Sequence, residues 1–332
     1  MRDIKTDLTS SKSSKKLYNR RGKSFGYQVL GFGAGASGLG PLNGIFMFGS
    51  TYNSDMVNIS NRVSPTGVVS ADQSGVGTAR MMGIATSYGT GLALYAFGKT
   101  APAYVSLSNK VDITGIVATD TSGVGTDRSQ LMGSTYGTGT GIMAYGGGTS
   151  NNLNMSNLIN TSGVVASDGP NVGTGRYAGI GAPYGGDKAL FYGGQIGGGP
   201  GAQTMKNLVN SSGVVASDTA GGGPPQRERA ACEYGTGGTA IIVYGAPSLS
   251  GSQLINSSGV IASQVTRVGV ERFYPSGVPY GGDKGVIAYG ANILSGSGLN
   301  VTNLVNSSGV VGSDSTVAGT LRRGLGGAAC GE

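Results

Sequence analysis

A seven-residue phrase that recurs six times constrains the fold of this chain more than any other feature. Its glycines stand 48, 48, 50, 46 and 50 residues apart. This spacing matches a four-stranded β-propeller blade, whereas a β-helix rung is about half as long. The repeat therefore predicts an all-β chain that forms a six-bladed β-propeller. The copies are TGVVSAD (66–72), TGIVATD (114–120), SGVVASD (162–168), SGVVASD (212–218), SGVIASQ (258–264) and SGVVGSD (308–314).

Each repeat carries the residues of four short strands. An arginine stands 13 residues after the phrase glycine in five repeats, and the fourth repeat displaces it to Arg227 through the insertion GGGPPQ. Short apolar runs separated by glycine, serine and asparagine are typical of strands and turns. We expect strand 1 after the arginine, strand 2 in the apolar run, strand 3 around NLVN and strand 4 in GVVAS. Strand 1 is rich in small residues, which suits the crowded strands nearest a propeller axis.

The two ends of the repeat region complete each other. GIFMFG (44–49) is a strand 2 without its strand 1, and RRGLGGAACGE (322–332) is a strand 1 without its strand 2. We therefore expect the C-terminal strand to pair beside the N-terminal one and to close the first blade, which removes exposed sheet edges. This interpretation divides the chain into an extended N-terminal arm, 1–43, and a propeller, 44–332.

Composition separates the arm from the rest of the chain. Glycine supplies 65 of 332 residues, but 38% of the residues are hydrophobic, so a packed core is expected. No apolar run approaches the length of a membrane span, and the first residues do not resemble a secretory signal. Of the formal net charge of +7, a net of +6 lies before residue 26. A basic arm on a nearly neutral body is either solvated or docks on an acidic surface.

The strand order resembles the kelch class of propellers, although the chain has no tryptophan. NLVNSSGVVASD (207–218) and YGGDKALFYGG (184–194) resemble repeats of kelch-like, glycine-rich appendage proteins of tailed bacteriophages. FGYQVLGFGAG (25–35) resembles a short N-terminal peptide that otherwise different marine phage virion proteins share. The second resemblance implies that the arm is a docking segment. Its docking residues would be Lys15, Lys16, Arg20, Arg21, Lys23, Phe25, Tyr27, Val29, Leu30 and Phe32.

These resemblances imply a virion structural protein of the tail-appendage or tail-fibre type rather than an enzyme. It would be made in the host cytoplasm and reside in multiple copies on the tail or capsid surface. The arm would bind other virion proteins, and the propeller would serve assembly or binding of a host-surface glycan or protein. A capsid decoration protein without a receptor role is one alternative. A polysaccharide-degrading propeller enzyme is another, and its scattered carboxylates would be Glu228, Glu233 and Asp283.

The residue types that carry most chemistry are scarce. Histidine is absent, and Cys232 and Cys330 lack the spacing of a metal site, so we expect no catalytic residue, no cofactor and no metal. A disulfide between the cysteines would require the chain's end to lie beside the fourth repeat. Repetition argues for a structural role of one set of carboxylates and arginines. They are Asp72, Asp120, Asp168, Asp218, Asp314, Arg80, Arg128, Arg176, Arg272 and Arg322.

Length variation identifies candidate binding loops. The segment between strands 2 and 3 varies in length, whereas the connector between strands 4 and 1 is nearly constant. Variable loops on a rigid scaffold are frequent recognition sites, although surface loops also drift without a function. The candidates are Tyr52, Asn53, Lys99, Tyr104, Asn151, Asn152, Gln195, Gln203, Ser248 and Asn292.

Overall fold

The computed structural model describes residues 43–51, 55–149, 151–197, 201–246, 251–266 and 268–331. This part of the chain is all-β and contains no helix, so none of its elements is a helix that could cross a bilayer. Its strands are short. They are β1 (Gly44–Met47), β2 (Ser60–Val63), β3 (Ile84–Tyr88), β4 (Leu92–Ala96), β5 (Ser108–Val111), β6 (Met132–Tyr136), β7 (Thr140–Gly147), β8 (Asn152–Ile159), β9 (Ile180–Tyr184), β10 (Lys188–Tyr192), β11 (Met205–Val209), β12 (Thr219–Ala220), β13 (Ala230–Tyr234), β14 (Thr239–Val243), β15 (Ser252–Ile255), β16 (Arg272–Phe273), β17 (Ser276–Tyr280), β18 (Lys284–Ala288), β19 (Ala291–Asn292), β20 (Val301–Val305), β21 (Ser315–Thr316) and β22 (Gly326–Ala329).

These strands form six antiparallel sheets, one for each repeat. Sheet 1 contains β22, β1 and β2; sheet 2 contains β3, β4 and β5; sheet 3 contains β6, β7 and β8; sheet 4 contains β9, β10, β11 and β12; sheet 5 contains β13, β14 and β15; sheet 6 contains β17, β18, β20 and β21. The two-residue strands β16 and β19 pair separately. The first strand of each sheet is β22, β3, β6, β9, β13 or β17, and in every sheet except sheet 1 the second strand follows it in a hairpin. Sheets 2 to 6 are therefore each built from one continuous stretch of the chain.

The predicted fourth strand is much shorter than expected. In sheet 3 it is reduced to one bridge between Ile159 and Val165. The Asn160 side chain accepts hydrogen bonds from the amides of Ser162 and Val164, so the polypeptide turns tightly. Asx turns of this kind compete with strand pairing. The GVVAS segment therefore returns along the third strand for only a few residues.

The expected pairing of the chain's two ends is present. β1 pairs antiparallel with β22, and Gly44 lies opposite Ala329 while Met47 lies opposite Gly326. On its other edge β1 pairs with β2. Sheet 1 is thus assembled from strands nearly 300 positions apart in the printed sequence.

The first strands of successive sheets lie side by side, and the series returns to its start because β22 contacts both β17 and β3. Glycine permits this proximity. A Cβ atom on Gly181 would lie 2.3 Å from the carbonyl oxygen of Gly133, and one on Gly277 would lie 2.3 Å from that of Ala231. Since such distances are impossible for a side chain, the small residues of the first strands have a packing role.

The apolar core lies between neighbouring sheets. Phe46 of sheet 1 belongs to one buried cluster with Val278 of sheet 6, and Ile142 of sheet 3 belongs to another with Phe191 of sheet 4. Burial of both faces of each sheet removes apolar area from water, which is the main favourable contribution to folding. Each sheet is therefore stabilised chiefly by the two sheets beside it.

A series of backbone hydrogen bonds connects the segments that enter the six first strands. Each amide donates to the carbonyl oxygen of the equivalent residue in a neighbouring sheet, over 2.6–3.3 Å, and the last bond returns to the first residue. All six residues have φ between 53° and 60°. This conformation costs a non-glycine residue about 1 kcal/mol or more. We call these residues the backbone ring: Met82, Gln130, Ala178, Glu228, Tyr274 and Gly324.

Candidate functional site on the loop face

The repeated aspartates and arginines form a buried clip that is clearest in sheet 3. Arg128 is fully buried and donates from Nε to the carbonyl oxygen of Tyr145 at 2.9 Å and from Nη2 to Asn157. Its Nη1 lies 3.4 Å from Oδ1 of Asp168. Asp168 also accepts hydrogen bonds from the amide and hydroxyl of Thr126, at 2.9 and 2.7 Å. The clip therefore fixes the segment that enters a sheet to the segment that leaves it.

Four other sheets repeat this arrangement. The arginine pairs with the aspartate of the next copy of the repeat, and not with the aspartate eight residues before it; for Arg322, in the last copy, the partner is Asp72 of the first copy. In sheet 6 Val270 stands in place of the threonine, so the hydroxyl donor is missing and the Val270 amide alone replaces the two threonine hydrogen bonds to the aspartate. The remaining pairs are Arg80 with Asp120, Arg176 with Asp218, Arg272 with Asp314 and Arg322 with Asp72.

The clip arginine also contacts the preceding sheet. The guanidinium of Arg128 lies 4.3 Å from the centre of the Phe97 ring, and the amide of Gly98 donates to the Arg128 carbonyl oxygen at 3.0 Å. Phe97 has φ of 59°, and a Cβ atom on Gly98 would lie 2.9 Å from the Met81 carbonyl oxygen. A cation over an aromatic face contributes about 1–2 kcal/mol when it is desolvated. The strained aromatic–glycine pair thus joins one sheet to the next.

Both charges of the clip have shifted pKa values. Burial acts to raise the pKa of Asp168, but hydrogen bonds from Thr126 and Asn157 and the charge of Arg128 together lower it. Burial lowers the pKa of Arg128 to about 10, against the opposing effect of Asp168. Both groups are therefore ionised at neutral pH.

Sheet 5 departs from this pattern. Gln226 takes the backbone position of the clip arginine, and its amide nitrogen Nε2 lies 3.5 Å from Oε1 of Gln264, which stands where the aspartate is expected. The guanidinium comes instead from Arg229, whose Nη1 donates to Gln253 at 2.6 Å. Gly193 occupies the position of the stacking aromatic residue. The sequence prediction that Arg227 substitutes for the clip arginine was therefore wrong.

We use the term loop face for the loops that follow the second strands together with the segments that enter the first strands. Backbone pairs join them, such as Met81 with Lys99 and Arg227 with Ala246.

Three candidate loop residues, Tyr52, Asn53 and Ser248, lie outside the described residues. So does the whole of the predicted docking set from Lys15 to Phe32.

Three candidate loop residues line one cleft of about 550 Å³ on this face. They are Tyr104, Asn151 and Asn152. Thr149, in the same variable loop as Asn151, lines the cleft too, together with Tyr177 and Gln130, which the loop-length argument missed. The Tyr177 hydroxyl donates to the Gly197 carbonyl oxygen at 3.1 Å. The cleft therefore offers two aromatic rings, amide groups and hydroxyl groups to a ligand.

The other candidate loop residues serve local structure. Gln195 is buried, and its Oε1 accepts a hydrogen bond from Arg227 at 2.6 Å. Gln203 donates to Gly201, and Asn292 accepts from the amides of Leu294 and Ser295. Lys99 lies beside Tyr104, with Nζ 5.7 Å from the ring centre.

A polar network lies across the backbone ring beside the cleft. The Tyr274 hydroxyl donates to Oε1 of Glu228 at 3.1 Å and accepts from Nε2 of Gln130. Nη1 of Arg227 lies 3.0 Å from the same carboxylate oxygen. Burial raises the pKa of Glu228, although Arg227, Tyr274 and Arg323 act to lower it. The network connects sheets 3, 5 and 6 through their side chains.

The remaining chemical candidates lie elsewhere. Glu233 and Asp283 line a cavity of about 560 Å³ at the opposite end of the first strands, and Asp283 pairs with Lys284 at 2.5 Å. Cys232 and Cys330 are free, buried and in different apolar clusters. Within the described ranges no three histidine, cysteine or acidic side chains are grouped so as to hold a metal ion.

Comparisons with known proteins add no family. No protein-family model matches the sequence, and no curated protein matches it significantly.

Proposed function

We propose that the protein is a bacteriophage virion structural protein of the tail-appendage or fibre type. In this proposal residues 1–43 anchor it to other virion proteins, and a closed six-bladed, kelch-like propeller presents the loop face to a host-surface glycan. The virion assignment depends on the sequence resemblances of the repeats and of FGYQVLGFGAG (25–35).

The propeller architecture is supported by three features of the sheets. Six sheets have one common strand order, and neighbouring first strands contact one another in series. The six hydrogen bonds of the backbone ring return to their starting residue, Met82. Propellers combine a rigid repeated scaffold with loops at the ends of their blades. Such a scaffold serves display and binding more directly than it serves catalysis.

The cleft between Tyr104 and Tyr177 carries the binding part of the proposal. Ligand sites commonly combine apolar and aromatic walls with a few polar groups that orient the ligand. Here two tyrosine rings are accompanied by Asn152 and Thr149, and the cleft volume of about 550 Å³ accommodates an oligosaccharide of a few residues. Sugars offer matching apolar C–H faces and hydroxyl groups.

A glycan array probed with the purified full chain tests the binding function. We expect one glycan class to bind, and the Tyr177→Ala and Tyr104→Ala variants to lose at least about tenfold in affinity. Ile113→Ala, on an exposed turn at the other end of sheet 2, is the matched control and should bind normally. Absence of binding to every glycan would contradict this function.

Removal of residues 1–35 tests the anchoring function. We expect a folded protein that binds glycans normally but no longer joins virions. Retained incorporation would contradict the role of the arm. If virions that carry the Tyr177→Ala variant adsorb to host cells as well as virions that carry the unsubstituted chain, a capsid decoration protein is favoured.

A further inference from the structure

Two arginines meet at the backbone ring on the loop face, in the part of the molecule where the repeat is least regular. Arg227 enters sheet 5 and precedes Glu228, Arg323 enters sheet 1 and precedes Gly324, and backbone hydrogen bonds through Tyr274 connect Glu228 with Gly324. Between them sheet 6 contributes Phe273 and Tyr274, whose rings are 5.4 Å apart in an edge-to-face arrangement. We call these five residues the arginine cluster.

The cluster has one carboxylate for two guanidinium groups. Glu228 forms its ion pair with Arg227 at 3.0 Å. Arg323 forms no ion pair with any described residue, and its Nε is buried without a hydrogen-bond partner. The Nε of Arg227 is also buried and unpartnered. Arg323 is partly exposed, and a guanidinium without an ion-pair partner favours an incoming anion.

Arg323 is held in place for such a contact. Its backbone exchanges two hydrogen bonds with Ser50 at 2.9 Å each, and its guanidinium lies 5.9 Å from the centre of the Phe273 ring. Gly296 of the neighbouring loop lies close enough that a Cβ there would be 3.6 Å from Nη1. A guanidinium positioned in this way needs little further ordering to bind a planar carboxylate in a bidentate manner.

The neighbouring groups favour a sugar as the carrier of that carboxylate. Phe273 and Tyr274 provide an apolar surface for the C–H face of a pyranose ring. Glu228 is an acceptor for sugar hydroxyl groups, and Gln130 connects the cluster to the cleft of Tyr104 and Tyr177.

We propose that the arginine cluster binds the carboxylate of an acidic sugar, such as a uronic acid, within a host-surface glycan. The inference rests on the proposed glycan-binding function of the loop face and names its ligand chemistry. Arg323 contacts the carboxylate, Arg227 supports it, and the aromatic pair contacts the sugar ring.

Isothermal titration of the full chain with tri-galacturonate and with its methyl ester tests this assignment. The two probes share one carbon skeleton, but only the first carries carboxylates. We expect the acid to bind at least about tenfold more tightly, because a hydrogen bond to a charged group contributes a factor of that order. Equal affinities would overturn the proposal, and binding of both probes would still leave the glycan function standing.

Substitutions locate the site. Arg323→Gln should weaken galacturonate binding at least about tenfold while leaving the methyl ester unaffected. Lys188→Gln removes one exposed positive charge outside the loop face and should change affinity less than about twofold, because exposed charges are screened. Equal losses in the two variants would show a general charge effect and overturn the assignment.

Two further measurements guard against trivial outcomes. Arg323→Lys keeps the charge but not the bidentate geometry, and should bind the acid with intermediate affinity. Displacement of galacturonate by acetate at equal concentration would overturn the sugar part of the proposal.

Discussion

Sheet 3 and sheet 5 have three equivalent strands in the same order, but they differ in the charged residues at the clip position. In sheet 3 a buried Arg128 is neutralised by Asp168 and covered by Phe97. In sheet 5 glutamines replace the charged pair, and Gly193 replaces the aromatic ring. The loss of the cation thus accompanies the loss of its stacking partner.

The difference between sheets 3 and 5 shows which parts of the repeat vary within this chain. Once the clip is neutral, the segment that enters sheet 5 carries charge at other positions: Arg227 and Glu228 face the backbone ring, and Arg229 enters the sheet. Both sheets retain the hydrogen bonds of the backbone ring. The ring is therefore the common structural element, and the clip is one of two ways to fill the space beside it.

The largest expected effect comes from making sheet 3 resemble sheet 5. Arg128→Gln leaves Asp168 and Asn157 without their buried partner, and we expect a loss of about 3 kcal/mol in the free energy of unfolding, since breaking a buried pair costs about 3–5 kcal/mol. Denaturant titration measures this quantity.

The double variant R128Q/D168Q is the control for that substitution. Because it removes both charges, it should lose less than the sum of the two single variants. A loss below about 1 kcal/mol for Arg128→Gln, or strict additivity, would show that the clip contributes little.

Asp168 of the clip also predicts loss of stability in acid. The folded-state pKa of Asp168 lies below its ordinary value of 3.8, so its contribution is complete above that value and is lost as the pH falls through the folded-state pKa. We expect Asp168→Asn to have a shallower decline in stability below pH 4 than the unsubstituted chain. Parallel declines in the two proteins would contradict the assignment.

Glu228 predicts the opposite dependence. Burial raises its folded-state pKa above the ordinary value of 4.5 against the effects of Arg227, Tyr274 and Arg323. Its contribution is therefore complete below that value and is lost as the pH rises through the folded-state pKa. Glu228→Gln should equal or exceed the unsubstituted chain in stability at pH 7. A large loss there would mean that the ion pair with Arg227 outweighs burial.

The smallest effect concerns backbone strain in the ring. Ala178 has φ of 57°, which glycine adopts without a steric penalty. We expect Ala178→Gly to stabilise the fold by about 0.5 kcal/mol, since relief of strain exceeds the small loss of burial. Ala182→Gly, in a strand and equally buried, should instead destabilise it. Destabilisation by both would contradict the strain argument.

The sequence predicts the sheets well because their signals are local. Apolar runs and turn residues locate the first three strands of each repeat, and the unmatched ends predict the pairing of β1 with β22. The fourth strand is overpredicted because Asn160 and its equivalents bind their own backbone. Local pattern cannot distinguish that turn from a longer hairpin.

The candidate site is harder to predict. Loop lengths identify Tyr104, Asn151 and Asn152. They do not identify Tyr177, because Tyr177 lies in the connector before a first strand, and the length of that connector is nearly constant. Arg323 follows the clip arginine directly, and only the irregular fourth repeat signals that Arg227 differs from its equivalents. Their convergence depends on contacts between sheets that are far apart in sequence.

The central claim is that the backbone ring connects all six sheets, both those with a charged clip and sheet 5, which lacks one. Amide hydrogen exchange of the ring residues tests this claim most directly. The Gln130 and Glu228 amides both donate over 2.6 Å, the first in a clipped sheet and the second in sheet 5. We predict that they exchange at the same slow rate, through global unfolding. Exchange of Glu228 and Tyr274 at least about a hundredfold faster than Gln130, through local opening of sheets 5 and 6, would contradict the account.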